Sequence, residues 1–172
     1  YFLSRPRRFG KSLLVSTLEA YFQGKKHLFE GLAMERLETE WTEYPVLHMD
    51  FSVSKYTDAD KLREVLNIQI SRWEKIYGKE TDELTFSNRF EGVIQRAYEK
   101  TGKQVVVLVD EYDSPLLDTN SELALQKELR NFFSPLKKNG QYLRFLLLTG
   151  ISKFSQLSIF SELNNLQNIS MR

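Results

Sequence analysis

The chain has 172 residues, with 24 Lys and Arg against 23 Asp and Glu, for a formal net charge of +1. Such a balance provides no global field to draw nucleic acid or an anionic membrane. There is no cysteine, which excludes disulfides and thiolate metal sites, and the longest apolar run, Val105 to Val109, is far too short to cross a bilayer.

Hydrophobic residues make up 41% and charged residues 27% of the chain, as in ordinary globular proteins. The length suffices for one domain with a substantial core. A cytoplasmic setting is expected. The opening Tyr1-Phe2-Leu3 reads as the middle of a strand and lacks an initiator methionine. The sequence is therefore expected to be a piece of a longer protein.

Strand-like and helix-like segments alternate along the chain. Residues 1–4 look like the end of a buried strand. In residues 11–23, Leu14, Leu18, Tyr21 and Phe22 are spaced for one helical face, and Gly24 follows. Residues 44–52, "YPVLHMDFS", read as a strand. Residues 59–77 place Leu62, Val65, Leu66, Trp73, Ile76 and Tyr77 on one helical stripe. Phe90, Val93, Ile94, Ala97 and Tyr98 mark another helix, closed by Gly102. "QVVVLVD" at 104–110 is continuous and β-branched, the pattern of a central parallel strand buried on both faces. Leu125, Leu129, Phe132, Phe133 and Leu136 predict a further helix, with a turn at Asn139-Gly140. "YLRFLLLTG" at 142–150 reads as a second buried strand, and "LQNISM" near the end as a last one. Alternating strands and helices predict a parallel sheet with right-handed crossovers.

Chemistry concentrates in two places. The first is "SRPRRFGKSLL" at 4–14. Its Gly10-Lys11-Ser12 fills the last three places of the phosphate-loop pattern G-x-x-x-x-G-K-[ST], but Arg5 stands at the first glycine. The loop joins a predicted strand to a predicted helix, as the mechanism requires. Backbone amides from Arg7 through Arg8, Phe9, Gly10, Lys11, Ser12 and Leu13 would hold phosphate oxygens at the positive helix end. Gly10 allows close approach of the backbone, Lys11 reaches the terminal phosphates, and the Ser12 hydroxyl binds Mg²⁺. Arg5, Arg7 and Arg8 form either a solvated basic loop or added charge near phosphate, and the spacing does not settle which of them points inward.

The second is the end of the hydrophobic strand, Asp110-Glu111. Asp110 is expected to hold Mg²⁺, and Glu111 to take a proton from the attacking water. Asp113 either orients a basic neighbour or begins a turn before Pro115. Thr149, at the end of the next strand, is the candidate polar contact to the γ-phosphate, with Lys153 as a second contact. The catalytic candidates are therefore Glu111, Lys11 and Thr149, and the metal candidates Ser12 and Asp110. No Asn-Lys-x-Asp run is present, which favours ATP over GTP. The strand order in the sequence suits an α/β, three-layer P-loop NTPase of the additional-strand (AAA/RecA-like) class, with parallel sheet order 5-1-4-3-2. His27 and His48 stand apart from any ligand-spaced partner.

These pieces resemble the AAA-ATPase-like proteins of bacteria and archaea, which commonly carry a PD-(D/E)XK nuclease-like domain at the C-terminus. The matching stretches are "SRPRRFGKSLLVSTLEAYFQGKKHLFEGL", "VVVLVDEYDSPL", "LLLTGISKFS" and "FSELNNLQNISM", in the family's order. The family is similar to this chain even in lacking the first glycine of the loop. The resemblance implies an ATP- and Mg²⁺-dependent switch or motor. Lys11 and Ser12 would be the nucleotide and metal contacts, and Asp110 and Glu111 the acids. It implies residues 1–172 as an ATPase core without its N-terminal segment, helical lid and nuclease-like region. Expected partners are ATP and a second copy of the chain. Nucleic acid enters only through the missing region, and no membrane partner is expected. A non-hydrolysing nucleotide-binding scaffold and a small-molecule phosphotransferase are the competing readings.

Overall fold

The computed structural model describes residues 1–117, 122–151 and 166–170. Four parallel strands form its centre: β1 (Phe2–Ser4), β2 (Val46–Asp50), β3 (Val105–Asp110) and β4 (Leu143–Gly150), in the order β1-β4-β3-β2. β3 is buried at every residue, as its unbroken apolar run requires. Its side chains divide by parity. Val105, Val107 and Val109 face one core, whereas Val106 and Leu108 face another.

On the second face lies α1 (Lys11–Phe22), packed through Val15 and Phe22. On the first lie α3 (Ala59–Tyr77), α4 (Phe86–Thr101) and α6 (Glu122–Phe133), so the sheet is sandwiched in three layers. Caps set these helices. Asp58 accepts from the Lys61 N–H at 2.8 Å and Thr85 from the Asn88 N–H at 3.1 Å, each satisfying an amide the helix cannot bond itself. Stacked rings of Trp73, Phe90 and Phe132 join α3, α4 and α6. Beneath them, Arg89 grips Glu74 through two bonds of 2.8 Å and reaches Asn67 and Ser71.

The shorter elements are α2 (Ala33–Leu37), α5 (Ser114–Leu117) and α7 (Pro135–Lys138). α7 breaks the single helix predicted through Leu136. Pro135 has no N–H for the Asn131 carbonyl, and the Ser134 hydroxyl takes that carbonyl instead at 2.8 Å.

The sheet also departs from the predicted five-stranded order 5-1-4-3-2. Residues 166–170 make a single parallel bridge, Phe2 to Asn168, and no named strand. β1 is only three residues long, so its outer edge has little to offer. Phe2 donates to the Gln167 carbonyl and accepts from the Ile169 N–H, both at 2.9 Å. At Ser4, the next outward position, the N–H goes to the Ser170 hydroxyl at 2.6 Å, and the ladder ends. Three residues of the predicted stripes are also exposed, Leu14 on α1, Ile76 on α3 and Tyr98 on α4. On α1 and α3, Val15 and Ile70 take the buried positions.

Candidate functional site

Parallel pairing brings the carboxyl ends of all four strands to one edge. Ser4 pairs with Gly150, and Asp50 with Asp110, so the turns leaving β1, β3 and β4 open side by side. Ligands of open α/β sheets bind outside such strand ends. β4 lies between the strand that leads into the loop and the strand that ends in the acids. The loop is fastened to it, because the Arg5 N–H donates to the Gly150 carbonyl at 3.1 Å.

The loop turns into α1 at Gly10, the N-cap, whose backbone is left-handed at φ 74°. A side chain is disfavoured there by its own backbone. A Cβ built at Gly10 meets nothing within 4 Å, so the space over the helix end is open. Lys11 begins the helix and is only 5% exposed. Its ammonium folds back under the loop and donates to the carbonyls of Arg5 (2.7 Å) and Pro6 (2.9 Å). The charge is thereby placed inside the loop, beside the free amides of the helix's first turn. Arg5, at the predicted position of the first glycine, supplies one of these carbonyls. Arg7, Arg8, Phe9 and Ser12 are exposed, as is Leu13 at 71%.

At the acid strand, Asp110 is almost fully buried. Thr149 is fully buried and its hydroxyl donates to Asp110 Oδ1. The Thr149 hydroxyl oxygen in turn accepts the Glu111 N–H at 3.2 Å. Glu111 itself is left-handed at φ 51°, a conformation that costs a non-glycine residue about 1–2 kcal/mol and that clusters at functional sites. Burial, then the Asp110 charge, raise the Glu111 pKa, while Lys11 opposes them and Asp50 and Asp113 add to the rise. Lys11 is thus near enough to Glu111 for its charge to be felt, although 100 positions of sequence separate them.

The structure therefore gathers Gly10, Lys11, Asp110, Glu111 and Thr149 at one edge. Lys153 lies outside the described residues. Asp113 begins a turn, its carbonyl accepting from Leu116. The contribution of Gly150 and the Asp113 carboxylate was hidden in the sequence, which offers for Asp113 only a basic neighbour to orient or a turn before Pro115. A Cβ on Gly150 would lie 2.4 Å from the Tyr112 ring, so only glycine allows that close approach.

Among the described residues, no group of three or more His, Asp or Glu is arranged to hold a metal. The residues do fit a phosphate-bound cation, whose remaining ligands are phosphate oxygens and water. Ser12 offers an exposed hydroxyl and Asp110 a carboxylate. No helix among the described residues is long and apolar enough to cross a membrane.

The chain is 42% identical over 180 residues to a protein of Azotobacter chroococcum mcd 1 described as "Uncharacterized protein in vnfD 5'region". The match covers 99% of this chain and 34% of that relative's length. No solved structure matches. Residues 1–160 match the AAA-ATPase-like family, described as Predicted AAA-ATPase. With a loop lysine and an acidic strand end meeting at one sheet edge, the chain belongs to the AAA-ATPase-like family, whose description implies a nucleotide-binding role.

Proposed function

We propose that this chain is a P-loop domain that binds ATP with Mg²⁺ and hydrolyses it, as a switch or motor for an attached or partner domain. The observation that carries the reading is the convergence of the Lys11 ammonium, held inside its loop, with the Asp110-Glu111 strand end across β4. The loop amides and Lys11 bind the phosphates, with the helix N-terminus adding positive potential. Ser12 and Asp110 would hold Mg²⁺, which when bound neutralises charge on the phosphates. Glu111 accepts a proton from the water whose oxygen bonds to the γ-phosphorus as the bond to ADP breaks. Its raised pKa favours that role, because a base works best with a pKa near the ambient pH. Thr149 steadies both acids.

This chain spans 34% of its relative's length, so we propose further that the remainder of such a protein receives the nucleotide signal. Titration with Mg²⁺ and a non-hydrolysable ATP analogue tests binding. Lys11→Ala is expected to weaken it at least about tenfold, the loss of a charge-assisted contact. Equal affinity would overturn the loop assignment. Glu111→Gln is expected to keep analogue binding and lower ATP turnover by about 100-fold or more. An unchanged rate would remove Glu111 as the base, and tight binding without turnover by the native full-length protein would favour the scaffold reading.

A further inference from the structure

We infer that Asp113 is a positioning residue whose carboxylate closes a clasp between the β3 and β4 ends, fixing the backbone of Glu111 and so aiming its side chain. The inference deepens the proposed role of Glu111 and rests on it.

Four successive residues after β3's core run each bond to residues 149–151. Asp110 accepts from the Thr149 hydroxyl. The Glu111 N–H donates to that hydroxyl oxygen. The Tyr112 N–H donates to the Thr149 carbonyl at 3.0 Å. Asp113 Oδ2 accepts the Ile151 N–H at 3.0 Å. The left-handed Glu111 sits within this run, gripped on both sides. Asp113 terminates it, and is completely buried.

A buried carboxylate is costly unless bonded, so packing alone does not call for one here. Asp113 Oδ2 reaches across to the residue after β4. The opposite wall is built to receive the clasp. At Gly150 a Cβ would stand 2.9 Å from Asp113 Oδ1 as well as against Tyr112. The Tyr112 ring in turn meets Phe2 edge-on at 5.6 Å. The clasp therefore rests on the strand that leads into the phosphate loop, and one rigid unit sets the distance between loop and acid.

Amide hydrogen exchange read by NMR on the full chain tests this, together with ATP turnover and analogue binding. Asp113→Ala removes the acceptor, whereas Asp113→Asn keeps a carbonyl oxygen in its place. In Asp113→Ala, the Glu111 and Tyr112 amides are expected to exchange at least about tenfold faster, with amides in α1 unchanged. Turnover should fall about tenfold or more, with analogue affinity held within about twofold. Asp113→Asn should restore both readouts to within about threefold of the native protein, and with the same pH profile. Should Asp113→Ala not fold, Gly150→Ala supplies the perturbation, with the same expected selectivity. Unchanged Glu111 and Tyr112 exchange in the folded variants would overturn the inference, as would equal loosening throughout the protein. Failure of Asp113→Asn to rescue would also overturn it. A native protein without turnover would defeat the hydrolysis reading, while the exchange data would still decide the clasp.

Discussion

The Thr149 hydroxyl joins two functions in one atom: it donates to the Asp110 carboxylate and accepts the Glu111 N–H. Asp110 and Glu111 are neighbours in sequence, but their orientation is set from the adjacent strand.

Thr149→Val keeps the shape and removes this atom's bonds. Leaving a buried carboxylate oxygen and an amide short of a partner is expected to cost about 1–3 kcal/mol in urea unfolding. ATP turnover should fall with it. Thr149→Ser should recover most of both, since the hydroxyl returns. A valine variant as stable and active as the native protein would show that the bond contributes nothing.

Gly10→Ala probes the loop. Its Cβ meets no protein atom, so the expected stability loss is backbone strain alone, about 1–2 kcal/mol. The same methyl stands in the space assigned to phosphate. Analogue affinity should therefore fall by more than the folding loss explains, and calorimetry beside thermal melts separates the two.

Glu111 makes a pH-dependent prediction. Burial and Asp110 raise its pKa above the ordinary 4.5, so the folded state holds the proton more firmly than the unfolded. Its favourable contribution is complete below pH 4.5 and is lost as pH rises through the folded value. Glu111→Gln removes that loss. Its melting temperature relative to the native protein should climb between about pH 4 and pH 8. A constant difference across that range would contradict the shift.

The Arg89–Glu74 pair makes a prediction far from the site. Both side chains are 9% exposed, and Arg89→Ala leaves Glu74 buried without its main partner. The expected cost is about 3–5 kcal/mol, measured by denaturant unfolding, with analogue affinity per folded molecule unchanged. The Arg89 bond lowers the Glu74 pKa below 4.5. Its stabilisation is present above that pH and is lost as pH falls through the folded value.

Much of this was legible in local pattern. The helix predicted over residues 59–77 matches α3, because Leu62, Leu66 and Trp73 of its stripe face the core and Gly78 ends it. β3 was legible because a strand buried on both faces needs an unbroken apolar run, and β4 because the apolar run Leu146 to Leu148 leads into its buried half. Gly10-Lys11-Ser12 and Asp110-Glu111 were visible because their chemistry is local. Their meeting followed from strand order, which the alternation suggested only in part. The order at the β1 edge was not legible, since a three-residue strand with a serine at its end cannot sustain a further ladder. Leu14 was misplaced because Leu14 and Val15 offer competing phases, and the sheet selects the valine. The clasp at Asp113 was invisible, because a carboxylate's partner on a different strand leaves no trace in the spacing.

β1 makes its strand pairing with β4, and Phe2 lies opposite Leu148, almost the whole described chain away. The loop's strand therefore has no lateral partner until the segment ending near Gly150 exists. During synthesis the loop is consequently braced only after β4 has emerged, and a nascent chain paused before β4 would carry the Gly10-Lys11-Ser12 sequence without that partner strand. Bracing of the loop thus reports pairing of β1 with β4, whatever the order in which the helices condense.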